Sequence, residues 1–203
     1  MTTVSKFVNI ASYLPFMAKK QPHKPAVVFP EGRDKDGRVC YTHYTFEQLD
    51  KESDCIARGL EKAGMGRGVR TALMIKPSLE FFALTFAMFK VGAVPVLIDP
   101  GIGIKNLKEC LAQAEPEAFI GIPKAHMARI LLGWGRETIR TTVTVGRRLF
   151  WGGITLDQIR KMGLSDTPYE MAHTRADEMA AILFTSGSTG LPSGAIYTHS
   201  NYR

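Results

Sequence analysis

Between Thr71 and Pro123, short apolar runs alternate with segments of helical spacing, and only a few residues join one to the next. Thr71–Ile75, Val94–Ile98 and Ala118–Ile122 are too short and too evenly apolar for anything but buried strands. Leu79, Phe82, Ala83, Phe86 and Phe89 carry a helix between the first two strands, and Ile104, Leu107 and Leu111 carry one between the second and third. Strand–helix–strand with short links favours parallel pairing and right-handed crossovers. Strands apolar on both sides need helices on both faces of the sheet. The predicted fold class is therefore α/β, a layered, mostly parallel sheet with flanking helices.

Local signals extend this frame in both directions. Thr45 and Gln48 form a capping box, after which Phe46, Leu49, Ile56 and Leu60 share one helical face. The run Gly64-Met65-Gly66-Arg67-Gly68 ends that helix and turns the chain. Pro77 suits a first helical position, and Gly92 should stop the helix that follows. That helix is apolar nearly all round, so it should be deeply buried. Asp99-Pro100-Gly101 reads as a turn. Further elements are expected at Ala125–Leu132 (helix), Thr141–Val145 (strand) and Thr155–Met162 (helix), with Leu164–Arg175 as a polar connector. At the N-terminus, Val4, Phe7, Val8, Ala11, Leu14 and Met17 recur at helical spacing and predict a short amphipathic helix ending before Gln21-Pro22.

Several function classes drop out. The 203 residues are 45% hydrophobic and 22% charged, ordinary globular values. The apolar stretch Leu79–Ile98 is interrupted by Glu80, Lys90 and Pro95, so no transmembrane segment is expected. The N-terminus lacks the unbroken apolar core and cleavage pattern of a secretory signal. Cys40, Cys55 and Cys110 are an odd, scattered set without a C-x-x-C pair, which fits reduced thiols and a cytoplasmic location. His23, His43, His126, His173 and His199 show no metal spacing, and no metal ligand is assigned.

The net charge of +7 is concentrated. Lys124, Arg129, Arg136, Arg140, Arg147, Arg148, Arg160 and Lys161 face only Glu137 and Asp157 between Gly121 and Gly163. A solvated or covered face accounts for this; an anionic surface is the functional alternative. No nucleic-acid motif is present, and nucleic acid is not an expected partner.

The chemistry is concentrated near the end of the sequence. An apolar strand, Ala180–Phe184, runs into Thr185-Ser186-Gly187-Ser188-Thr189-Gly190, then Leu191-Pro192-Ser193-Gly194 and a second β-like run. Glycines let the backbone approach an anion closely, successive N–H groups form a nest, and four hydroxyls add donors. This composition suits a phosphate cradle. It is neither a Walker A loop, which ends Gly-Lys-Ser/Thr, nor G-x-G-x-x-G.

The order T-S-G-S-T-G-L-P-x-G resembles the phosphate loop of the adenylate-forming superfamily: acyl-CoA synthetases, peptide synthetase adenylation domains and luciferases. The likeness continues through Tyr44–Leu49, Lys62-Ala63-Gly64, Gly92–Val96 with Asp99-Pro100, Asp177-Glu178 and Thr198–Asn201. Asp99–Gly103, Phe119–His126 and Val143–Arg148 with Phe150–Gly153 look like the branch that makes β-lactones for olefin biosynthesis.

This resemblance implies that residues 1–203 form the first part of a large N-terminal AMP-binding domain, with its phosphate loop at 185–194. It implies ATP with Mg2+, and a fatty or β-hydroxy fatty acid activated as its acyl-adenylate with release of pyrophosphate. Closure to a β-lactone would follow; coenzyme A would attack instead in a long-chain acyl-CoA ligase. Thr185, Ser186, Gly187, Ser188, Thr189, Gly190 and Ser193 would contact the nucleotide phosphates, and other olefin-pathway enzymes are implied partners. Catalytic residues stay unassigned. The family's acidic magnesium ligand, ribose-binding aspartate, hinge and C-terminal lid with its lysine are not matched within Met1–Arg203, so magnesium ligands are expected beyond Arg203 and these residues alone are not expected to turn over. Ser193 departs from the family pattern, which usually carries Lys there. An inactive remnant and a module binding an anionic surface remain alternative readings.

Overall fold

The computed structural model describes residues 8–185 and 193–202. Its elements are α1 (Tyr13–Lys20), β1 (Pro25–Arg33), β2 (Val39–Thr45), α2 (Phe46–Lys62), β3 (Arg70–Met74), α3 (Leu79–Val91), β4 (Val94–Ile98), α4 (Ile104–Ala114), β5 (Ala118–Gly121), α5 (Pro123–Leu132), β6 (Thr141–Thr144), β7 (Ile154–Thr155), α6 (Leu156–Gly163), β8 (Met179–Phe184) and β9 (Gly194–Thr198). Seven of the described strands make one sheet in the order β7-β6-β5-β3-β4-β8-β9. Every neighbouring pair is parallel except β8–β9. The expected α/β fold is therefore present.

The strand order decides which helices share a face. The chain steps one way from β3 to β4, then the opposite way to β5 and β6. With right-handed crossovers, α3 must lie on one face and α4 and α5 on the other. The step from β7 to β8 matches the direction of β3 to β4, which puts α6 with α3. Accordingly, α2 packs against both α3 and α6, while α4 touches β4 and α5 touches β5. The main core forms on the α2/α3/α6 side, from Leu49, Ile56, Leu60, Leu84, Met88 and Ile159 against Leu73 and Ile120.

Local sequence explains the element ends. The Thr45–Gln48 capping box is closed in both directions, with bonds of 2.9 and 3.2 Å. Gly92 caps α3 at φ +74, the left-handed region that glycine occupies without strain. Pro95 sits inside a central strand, where proline is usually excluded. It is accommodated because Val94 turns its N–H to Val69 O, toward β3 (2.9 Å). The alternation then points position 95 toward β8, whose pairing begins only at Val96.

Four expectations are corrected. Pro77 is not the first helical residue. Ser78 caps α3 by accepting the Phe81 N–H (3.2 Å), and the helix begins at Leu79. The N-terminal helix does not include Val8. Val8 N–H donates to Thr174 O, the Thr174 hydroxyl donates back to Val8 O, and the Asn9 side chain accepts the Ala11 N–H. Those bonds hold residues 8–9 in an extended path, with a 3-10 turn at Ile10–Ser12 before α1. Asp99–Gly101 is not a simple turn but the start of a 3-10 helix, Pro100–Ile102, capped by Asp99. The helix expected from Ala125 starts two residues earlier, with Pro123 opening α5.

The antiparallel β1–β2 hairpin has no counterpart among the elements expected from the sequence. Its strands are mostly exposed and carry two register shifts, so the alternation that marks a half-buried strand is lost.

Candidate functional site

In a parallel α/β sheet, ligands gather outside the C-terminal ends of the strands. Here that edge carries Ile75 after β3, Asp99 after β4, Ile122 after β5, Val145 after β6 and Thr185 after β8. Thr185 and Ser193, the two ends of the glycine-rich loop, are both exposed there. The register pairs Phe184 with Gly194, so the chain leaves and re-enters the sheet at one point. Ser186, Gly187, Ser188, Thr189 and Gly190 lie outside the described residues.

The base of the loop is held from three sides. Asp99 N–H donates to Phe184 O (3.0 Å), tying the end of β4 to the end of β8. The Asp99 carboxylate accepts the Gly101 N–H (2.8 Å) and fixes the neighbouring turn. Gly194 has no room for a side chain: a Cβ there would stand 2.7 Å from the Phe184 ring. The glycine therefore lets the returning strand close on the phenylalanine. Farther along the hairpin, Thr198 N–H donates to Asn201 Oδ1 (2.8 Å), and Glu178 pairs with Arg67.

His199 ends this hairpin and is buried. Its Nδ1 accepts the Ile10 N–H (3.3 Å), and its own N–H donates to Glu178 O (3.1 Å). Burial pushes its pKa below the ordinary histidine value and favours the neutral ring that this acceptor role needs. His199 thus anchors the N-terminal segment beneath the hairpin. Asp99 and His199 are the positioning residues that motif reading did not assign, because both act through partners remote in sequence.

His126 is also structural. Its Nε2–H donates to Val143 O (3.0 Å), and its ring stacks on Trp151 at 5.3 Å and 6°. Burial lowers its pKa as well. Among the described residues, no group of three or more His, Cys, Asp or Glu could hold a metal ion.

Two concavities help locate the chemistry. The larger, about 790 Å³, lies between α2 and residues 164–168 and is lined by Asp50, Glu52, Asp54 and Arg58 among others. Three of its carboxylates are already paired: Lys90 Nζ bonds Asp50 (2.6 Å) and Asp54 (2.5 Å), and Arg160 bonds Glu52 (2.6 Å). An acid-lined site suits no phosphate, so its size does not make it the nucleotide site. The other, about 490 Å³, is an apolar groove on the C-terminal edge, lined by Ile75, Ser78, Ile122 and Val145 with Lys76 and Lys124. The outgoing connections of the adjacent β3 and β5 leave for opposite faces at this point, which makes it the topological switch of the sheet.

Part of the basic segment is engaged within the fold. Arg160 is engaged with Glu52 and Asp157, Arg129 lies 5.6 Å over the Phe119 ring, and Arg148 donates to Gly153 O. Lys124, Arg136, Arg140, Arg147 and Lys161 are exposed to varying degrees.

A sequence profile described as AMP-binding enzyme matches residues 16–203. An olefin beta-lactone synthetase of Stenotrophomonas maltophilia is 51% identical over 196 residues, covering 96% of this chain and 35% of its own length. One of Xanthomonas campestris pv. campestris is 49% identical over 203 residues, covering 100% of this chain and 36% of its own length. The chain thus spans about a third of the length of these curated relatives. An anthranilate CoA ligase, AuaEII, solved with anthranoyl-AMP, superposes with a TM-score of 0.75 at 20% identity, over 97% of this chain and 36% of that one. A long-chain-fatty-acid-CoA ligase (FadD1) from Archaeoglobus fulgidus also gives 0.75 at 20%, over 97% and 38%.

Proposed function

The chain belongs to the AMP-binding enzyme family, and from that premise we propose that it contributes the phosphate-binding part of an enzyme that activates a fatty or β-hydroxy fatty acid with ATP. The observation that carries this reading is the position of Thr185 and Ser193. Both ends of a Ser/Thr/Gly loop stand exposed on the C-terminal edge of a parallel sheet, with their bases locked to β4 and β9.

The residues present fit a polyphosphate. Hydroxyls at Thr185 and Ser193 and the loop's N–H groups would donate to its oxygens, and Gly194 keeps the return strand tight against Phe184. In the reaction, the substrate carboxylate oxygen bonds to the α-phosphorus and the bond to the pyrophosphate oxygen breaks. Negative charge grows on the departing pyrophosphate, where donors fixed beforehand lower the barrier. Ser193 offers a hydroxyl without a positive charge, so this loop stabilises that charge less than a lysine would. The described residues supply no metal-ligand set, and no step is assigned to magnesium.

The two olefin beta-lactone synthetases at about half identity support a β-hydroxy acid as substrate. Its hydroxyl oxygen would attack the activated carbonyl and AMP would leave, closing the four-membered ring. The competing product is a coenzyme A thioester. Incubating the whole protein with ATP and a β-hydroxy fatty acid, with and without coenzyme A, separates them by product mass. Carboxylate-dependent ATP–pyrophosphate exchange is expected, with lactone formed whether or not the thiol is present. Absence of exchange with both fatty and β-hydroxy fatty acids would overturn the reading. Ser193→Lys should tighten ATP binding about tenfold, the effect of roughly one charge-assisted hydrogen bond. Titration of both proteins with ATP checks this.

A further inference from the structure

We propose that α5 and the loop after β6 form a docking surface for an anionic membrane. Helix α5 presents Met127, Ile130 and Leu131 to solvent, and Leu131 is 79% exposed. With Lys124 they fall within one arc of about 120° at 100° per residue. This is an apolar stripe on the outside of the molecule rather than toward the sheet; the inward positions of α5 are taken by Ala125, His126 and Ala128.

A second element exposes further apolar side chains. The loop after β6 exposes Leu149 and Phe150, the latter to 77%. It is fastened to α5 by aromatic contacts: Trp151 stacks on His126 and also meets the Phe150 ring edge-on at 5.4 Å. Trp151 Nε1–H donates to the Thr144 hydroxyl (3.0 Å), which fixes the ring from its other end. Phe150 is therefore held next to the helix although nothing covers it among the described residues.

Charge selects the occupant. Exposed cations flank these elements: Lys124 at the start of α5, Arg147 in the loop after β6, which leaves the sheet beside Pro123 and Lys124, and Arg136 and Arg140 beyond the end of α5. Across residues 124–148 the sole carboxylate is Glu137. A helix lying flat with large apolar side chains on one face and cations at its rim matches the boundary of an anionic bilayer, where acyl chains receive the apolar groups and headgroups the cations. A protein partner of ordinary mixed charge would leave most of these cations unmatched. This inference stands on α5 and its loop alone, independently of the acyl-activating reading.

Co-sedimentation of the whole protein with vesicles tests it. Binding is expected to phosphatidylcholine vesicles containing phosphatidylglycerol, not to pure phosphatidylcholine, and should fall as salt rises. Each exposed cation reversed, as in Arg147→Glu or Arg140→Glu, should weaken partitioning at least about fivefold. Phe150→Ser should weaken it about tenfold. All three positions are exposed, so circular dichroism should be unchanged. Brominated lipid should quench Trp151 emission. Equal binding to neutral and anionic vesicles, no binding to either, or variants that bind like the parent would each overturn the proposal. So would a change of oligomeric state in Phe150→Ser, which would make the stripe a contact between copies.

Discussion

The two faces of the sheet treat their helices in opposite ways. On one face, α3 is apolar nearly all round and disappears beneath α2, which itself is closed by α6. Even its one late cation, Lys90, is 1% exposed and sits between the carboxylates of Asp50 and Asp54. On the other face, α5 turns Met127, Ile130 and Leu131 outward with nothing over them among the described residues. An apolar helix is thus not by itself a core helix. What distinguishes α3 is a second layer of helices built to cover it, and substitutions should divide the faces accordingly.

The largest effect is expected at Lys90. Lys90→Met keeps the apolar stem but leaves two partly buried carboxylates facing each other without a cation, a loss of about 3 kcal/mol. Urea unfolding should show a lower midpoint with an unchanged slope; a midpoint equal to the parent's would mean that water already solvates Asp50 and Asp54. Next is the seam between α2 and α6. A Cβ on Gly163 would lie 1.8 Å from Cys55 O, and one on Gly59 2.1 Å from Ile159 O. Gly163→Ala should cost about 2 kcal/mol by forcing the helices apart, read as a drop in thermal midpoint. The smallest effect belongs to α5: Leu131→Ser should change stability by less than about 0.5 kcal/mol. A loss comparable to that of Gly163→Ala would mean that α5 is part of the core, and the contrast between the faces would collapse.

Much of this architecture is legible in the order of the residues, for identifiable reasons. β3, β4 and β5 are continuous apolar runs, and their helices carry strong ends: Thr45 with Gln48, and Gly92 in the left-handed region. The β1–β2 hairpin is not legible, because Pro25, Pro30 and Gly32 break its pattern and its side chains are mostly exposed. The start of the chain misleads for a different reason. Val8 fits a helical period, but Thr174, far along the sequence, captures both of its backbone groups. Of the candidate site, residue order alone predicts a phosphate loop at Thr185–Gly194, most of which lies outside the described residues. The bond from Asp99 to Phe184 and the seat of His199 against Ile10 join residues that no short-range pattern links.

The position of β8 has a consequence for how the protein is made. β8 pairs with β4, Val96 against Ile182, although β5, β6 and β7 are all laid down between them. A ribosome therefore releases β3, β4, β5 and β6 as a growing sheet whose β4 border stays open until β8 emerges. That border is Val94–Ile98, apolar along its length, the kind of unpaired rim that captures strands from other chains. Closing it requires a long loop to be ordered, which slows the step. The platform of the glycine-rich loop thus joins the described sheet only after β3, β4, β5 and β6 are made, and until it does the nascent chain is open to wrong pairing.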